Sequence, residues 1–358
     1  MEKIEEKSKH TFTIDDKYSV NNDIYKLYSH NPHSIDINKK LIKEIIQSYL
    51  SEDDIKIISS TLRCLTLVFQ NSSSSNCPFT NSEVLEIINQ FTSQEFLQGK
   101  PILHEAIRLA AVCTKNKKFV QDMNEYACIN LFRDLALKIN NDSMISLSLN
   151  AISNIIYYKD VTEDTITSLL NGTNDILKKV YLDNKYYYPD ALFSLLHLTK
   201  MIIDQYNPAL ELSQHKVIQF LPNFFGLDSE IVIKASISLC ETLYRMDLDI
   251  DSDSIVLICR LFIRGKSKYR AASIRAISAY FHHFPDCLFN LDQISYSDEG
   301  SIFDFLYRNV LQIISEGPFS LSSYAISILY SILESDVSIL EKNGDLIVTS
   351  LQNVLLGV

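Results

Sequence analysis

Apolar residues recur along this chain with a helical period. Ile42, Ile45, Ile46 and Tyr49 occupy positions i, i+3, i+4 and i+7, the single buried stripe of an amphipathic helix. From about residue 38 to the end the same period continues, interrupted by short polar stretches. The run NSSSSN at 71–76, followed by Cys77-Pro78, offers nothing to bury and predicts a loop. Residues 1–36 are polar and irregular, with an Asn pair at 21–22 and the turn His30-Asn31-Pro32-His33. They are expected to form a flexible arm, with Ile24, Tyr25 and Tyr28 available to dock it in part.

One kind of segment recurs through the remainder. A polar or Gly/Pro lead-in precedes a helix with a small residue near its middle and branched apolar residues around it. The copies are IKIISSTLRCLTLVF, PILHEAIRLAAVC, ISLSLNAISNIIYY, YYPDALFSLLHLTKMI, EIVIKASISLCETLY, KYRAASIRAISAYF and SLSSYAISILYSIL. Aligned on Thr61, Ala106, Ala151, Ala191, Ala235, Ala272 and Ala325, they are spaced 45, 45, 40, 44, 37 and 53 residues apart. A small side chain there lets a helix approach neighbours on several sides. The shorter amphipathic stretches between copies, at 84–91, 127–139 and 217–226, are expected to be the earlier helices of each unit. Units of about 40–47 residues are those of armadillo and HEAT solenoids. The predicted fold class is therefore all-α, a right-handed α-α superhelix of about seven armadillo/HEAT-like repeats over 37–358. A pair of compact helical domains is the competing arrangement.

The third copy carries a closer likeness. Leu149-Asn150-Ala151-Ile152-Ser153-Asn154-Ile155 resembles the third helix of an armadillo repeat, with its pattern L-x-A-L-x-N-L. In armadillo proteins of the importin-alpha and catenin type that Asn bonds the main chain of an extended ligand, and the resemblance implies this role for Asn154. The same column reads Cys64, Leu109, Ser194, Ser238, Arg275 and Ile328 in the other copies, and the chain has no Trp. The resemblance thus speaks for the architecture over about residues 38–357, and not for the family's peptide chemistry.

Composition narrows the alternatives. Only 8 Gly and 8 Pro occur, too few for the phosphate turns of nucleotide-binding α/β folds or the many tight turns of all-β folds. Several of these breakers stand in lead-ins or connections: Pro78, Gly99, Pro101, Gly226, Gly265, Gly317 and Pro318. The net charge of −11 repels phosphate backbones and disfavours a nucleic-acid partner. Seven dispersed cysteines without a C-x-x-C pair point to a reducing compartment. The N-terminal MEKIEEKSKH has no apolar core, and no apolar run approaches the roughly 18 residues of a membrane span. A cytoplasmic protein is expected, with nuclear or cytoskeletal association as variants.

Candidate chemistry is sparse. Arg260, Arg264, Lys266, Lys268, Arg270 and Arg275 form an acid-free basic stretch that reads first as a solvated surface. The run Asp247, Asp249, Asp251, Asp253 resembles half an EF-hand loop. It lacks the required Gly and Glu, with Ser252 and Ile258 or Ser254 and Arg260 in their places. Asp251 or Asp253 is expected instead to cap a helix beginning near Ile255. His282 and His283 project about 100° apart on a helix and are not expected to chelate one ion. No P-loop, dinucleotide fingerprint or nucleophile elbow occurs. The chain is expected to be no enzyme, with no cofactor and no metal.

The function expected is a scaffold or adaptor that holds a partner protein segment on the concave face lined by the last helices of successive units. The exposed polar positions proposed for that ladder are Arg63, Arg108, Asn154, His197, Glu241, Lys268 and Arg275. A nuclear-transport-type cargo receptor and a cytoskeleton-associated structural component are the alternatives.

Overall fold

The computed structural model describes residues 13–30, 39–71, 77–93, 100–183, 187–206, 215–248, 250, 252–264, 267–285, 291–297, 300–335 and 338–356. The chain divides into two compact units, 1–172 and 173–358. The calcium-loop aspartates Asp249 and Asp251, the NSSSSN residues beyond Asn71, Lys266 and Cys287 lie outside the described residues.

In the first unit the helices are α1 (Ile14–His30), α2 (Lys39–Leu50), α3 (Ile55–Asn71), α4 (Asn81–Thr92), α5 (Lys100–Cys113), the short α6 (Lys117–Gln121), α7 (Glu125–Lys138) and α8 (Asp142–Tyr158). The helix α9 (Glu163–Leu177) runs across the division between units. Sequence-local signals start these helices. Asn116, Asn124 and Asn141 each accept main-chain N–H groups of the turn they precede, supplying acceptors for donors that have no intrahelical partner. Thr80 and Glu83 form a complete capping box at the start of α4.

The first three recurring segments are α3, α5 and α8, which pack in series, α3 on α5 and α5 on α8. Part of the segment expected as a flexible arm is helix α1, which packs on α3 and buries Val20, Ile24 and Tyr28. Tyr25 is on its exposed side.

The second unit continues with a π-helical turn (Lys178–Leu182), then α10 (Pro189–Tyr206), the one-turn helices α11 (Lys216–Gln219) and α12 (Leu221–Phe224), α13 (Glu230–Arg245), α14 (Ser252–Ile263) and α15 (Ser267–His283). A small antiparallel pair, β1 (Ser295–Ser297) and β2 (Gly300–Ser301), precedes α16 (Ile302–Glu316), α17 (Phe319–Ser335) and α18 (Ser338–Leu356). The recurring segments are again a packed series, α10 on α13, α13 on α15 and α15 on α17. The pair β1–β2 lengthens the link that gives the 53-residue interval. The stretch 217–226, read as one helix, is two: Phe220 closes α11 with its N–H on the Lys216 carbonyl, and Pro222 at the start of α12 has no N–H to continue the ladder. The helix expected near Ile255 begins at Ser252, so Asp253 lies within its first turn, and the other candidate cap, Asp251, falls outside the described residues.

The small-residue column explains the close packing, with one correction. Thr61, Ala106, Ala151, Ala191 and Ala325 are fully buried. Ala235 and Ala272 are only half-buried, and their neighbours Ser236 and Ser273 take the inward position. Thr61 and Ser236 hydroxyls donate to the carbonyls of Ile57 and Val232 one turn earlier. At these two positions a polar atom thus enters the tight interface without losing its hydrogen bond, whereas the buried Ser273 hydroxyl finds no such partner among the described residues.

Candidate functional site

In the first unit, Arg63 on α3 and Arg108 on α5 converge on Glu105, the residue between them in space. Arg63 Nε is 3.5 Å from Glu105 Oε1 and Arg108 Nη1 is 3.8 Å from Oε2. Both guanidinium groups are exposed while the Glu105 side chain is buried. A buried carboxylate needs counter-charge, and here it draws one arginine from its own helix and one from the preceding repeat. Arg63 also borders an open cleft of about 500 Å³ beside Asp15, Tyr18, Asn22 and Tyr25 of α1. Asn154 on α8 is half-buried, and its Nδ2 donates to Thr114 Oγ1 at 3.2 Å, just beyond α5.

The second unit holds a tighter version of the same arrangement. Arg245 Nη2 donates to Glu241 Oε1 at 2.6 Å, and Arg275 Nε donates to Glu241 Oε2 at 3.2 Å. Arg245 lies one turn along α13 from Glu241, whereas Arg275 reaches across from α15. Glu241 was expected to be an exposed rung. It is buried, because its work is to hold two arginines that are themselves exposed. The three line an open cleft of about 500 Å³ with Lys200, Ser238 and Thr242.

The other two proposed rungs stand apart from this cleft. Lys268 Nζ donates to Glu230 Oε2 at 2.9 Å and lies over the Tyr269 ring. The Glu230 hydrogen bond holds the Lys268 pKa above the ordinary lysine value. Bonds from Lys234 and Lys268 hold Glu230 below the ordinary carboxylate value. His197 is exposed on α10, close to Phe193. Crowding by surrounding protein, and then Lys200, hold its pKa below that of a free imidazole. Of the proposed rungs, Arg63 and Arg108 meet at Glu105, and Glu241 and Arg275 meet with Arg245 beside Lys200; Glu105, Arg245 and Lys200 were not among the residues picked out from the sequence. The i,i+3 spacing of Glu105 and Arg108 and the i,i+4 spacing of Glu241 and Arg245 were the available signals.

His282 and His283 end α15 with their rings nearly perpendicular, at 89°. Among the described residues no group of three or more His, Cys, Asp and Glu side chains is placed to share a metal ion, and no helix is long and apolar enough to cross a membrane.

No known family's sequence profile matches this chain, and no curated protein resembles it in sequence. Its fold does have solved counterparts. Computationally designed armadillo repeat proteins for modular peptide recognition superpose with a TM-score of 0.51 at 14% identity, covering 70% of this chain and 99% of theirs. A designed armadillo repeat protein in complex with the peptide (KR)4 superposes with a TM-score of 0.50 at 15% identity, covering 66% of this chain and 98% of its own. The architecture is thus all-α and of the armadillo repeat type.

Proposed function

We propose that this armadillo-type repeat protein is a non-catalytic scaffold or adaptor that holds an extended segment of a partner protein along its recurring third helices. The observation that supports this most is the direct packing of successive third helices within each unit. Polar side chains on these helices are then offered in series: Arg63, Arg108 and Asn154 in the first unit, and His197, Lys268 and Arg275 in the second, with buried Glu241 orienting Arg275 rather than facing a ligand itself. An extended segment repeats its main-chain amides every residue or two, so a serial array of fixed polar groups suits it better than a closed pocket would. One structural counterpart is solved with a bound peptide, which adds to the reading. A nuclear-transport-type receptor would be expected to present repeated Asn and Trp in an acidic groove; this chain has no Trp and its series is mixed to basic. A cytoplasmic setting fits the acidic net charge and dispersed cysteines.

Panning a random dodecapeptide display library on the full chain tests the proposal. Convergent peptides whose binding falls on charge reversal at Arg108 and Arg275 are expected. A library that yields no convergent peptide, or peptides indifferent to both reversals, would overturn it.

A further inference from the structure

We infer that the Arg245–Glu241–Arg275 clamp is a recognition subsite for one acidic side chain, an aspartate or glutamate, of an extended peptide. This rests on the peptide-scaffold reading above and names the chemistry of one of its subsites.

The arrangement has the parts such a subsite needs. Each arginine commits one nitrogen to Glu241: Nη2 from Arg245 and Nε from Arg275. Among the described residues, the remaining guanidinium donors of both side chains make no hydrogen bond. Both side chains are accessible, at 58% and 36% exposure, while the carboxylate that orients them is 10% exposed. Glu241 therefore removes much of the rotamer freedom that a free arginine would lose on binding an anion. Planar guanidinium groups held in advance recognise a carboxylate with paired N–H donors and a smaller ordering cost.

The charge balance selects the ligand's sign. In the cleft two arginines share one glutamate, a surplus of one positive charge. Lys200 and Asp204, which also line it, neutralise each other as an i,i+4 pair. A cationic side chain would meet two guanidinium groups. One carboxylate would complete a four-charge alternation of two arginines and two acids. The half-buried Ser238 and the buried Thr242 flank the clamp on α13, where their hydroxyls can meet main-chain groups on either side of the acidic residue. The cleft volume of about 500 Å³ admits several residues of extended chain.

The test is fluorescence anisotropy of labelled, C-terminally amidated (Ser-Glu)4, (Ser-Gln)4 and (Ser-Lys)4 peptides titrated with the full chain. The expected result is that (Ser-Glu)4 binds about tenfold or more tighter than (Ser-Gln)4, the scale of charge-assisted hydrogen bonds. Arg245→Gln and Arg275→Gln should each erase most of that difference, and rising salt should weaken it. Arg308→Gln, an exposed cation on α16, should leave it unchanged. Arg245 is the more exposed partner, so its variant tests the subsite if Arg275→Gln loses its fold, as judged by circular dichroism. Equal affinity for the Glu and Gln peptides, a preference for (Ser-Lys)4, no measurable (Ser-Glu)4 binding, or full binding by Arg245→Gln would overturn the inference. Peptides recovered by library panning without an acidic preference would leave the scaffold reading standing while removing this subsite.

Discussion

Asn154 Nδ2 donates to Thr114 Oγ1 across a repeat boundary, joining side chains 40 residues apart in the chain. Thr114 is fully buried and also donates to the Ala111 carbonyl, so its hydroxyl is held to both its own repeat and the next. Asn154→Ala should cost about 1 kcal/mol, a fall of roughly 2–4 °C in Tm for a unit of this size. Thr114→Val should cost a similar amount. In the double variant the losses should be less than additive, because each removes the same bond. Strict additivity in circular-dichroism melts would show that the bond contributes nothing.

The capping box of α4 makes a pH-dependent prediction. The Lys43 ammonium first, and then the Thr80 N–H, hold the Glu83 carboxyl below its ordinary pKa. A pKa lowered by folding contributes stability that is present above the ordinary carboxylate range and is lost as pH falls through the folded value. Thr80→Ala should cost about 1 kcal/mol at pH 7. Glu83→Ala should be destabilising at pH 7, and its gap from the wild type should close as pH falls below the ordinary carboxylate value of about 4.3 and through the lower folded one. Paired thermal melts across that range measure it; a gap that widens on acidification would refute the assignment.

Gly317 closes α16 in an extended conformation, φ −83° and ψ 169°, that any residue adopts. Its constraint is space. A Cβ there would come within 2.5 Å of the Ile313 carbonyl oxygen and 2.9 Å of its Cα. Both are backbone atoms and cannot swing aside. Gly317→Ala should therefore cost about 1–3 kcal/mol, read as a lower denaturation midpoint. Gly226→Ala, whose nearest added contact is an ordinary 3.5 Å, is the matched control and should have a smaller effect.

Burial pushes the Cys64 and Cys240 thiols up to about 12 and Cys128 to about 11. Cys113 and Cys259 are raised by the same cause. The thiolate is the reactive species. At pH 8, iodoacetamide should label half-buried Cys77 first among the described cysteines, and the fully buried ones only after denaturant is added. Peptide mapping by mass spectrometry gives the order. Early modification of Cys64 or Cys240 in the folded protein would contradict it.

The repeat pattern was legible because one physical requirement, a small residue where helices approach closely, recurs in every unit. Its register was legible only to within one residue. Ala235-Ser236 and Ala272-Ser273 offer two small side chains in succession, and nothing local says which turns inward. The docking of α1 was half visible: Ile24 and Tyr28 read as anchors, but their partner α3 is specified by stacking that no short window contains. Arg63, Arg108, Arg275 and Glu241 were visible as charges, whereas Glu105 and the pairings that organise these side chains were not. Glu105 and Glu241 look like surface residues until tertiary packing buries them, and Arg275 finds Glu241 34 positions away.

Helix α1 shares α3 with α5, in the position that the third helix of an earlier repeat would fill. A stack of like layers has ends that fit one another, so an unblocked first layer invites the last layer of a second molecule. Such head-to-tail contacts do not close on themselves and propagate into fibres. On α1 the side turned away from α3 carries Asp15, Tyr18 and Tyr25, a mixed polar and aromatic surface that is a poor match for the branched apolar faces by which the recurring helices stack.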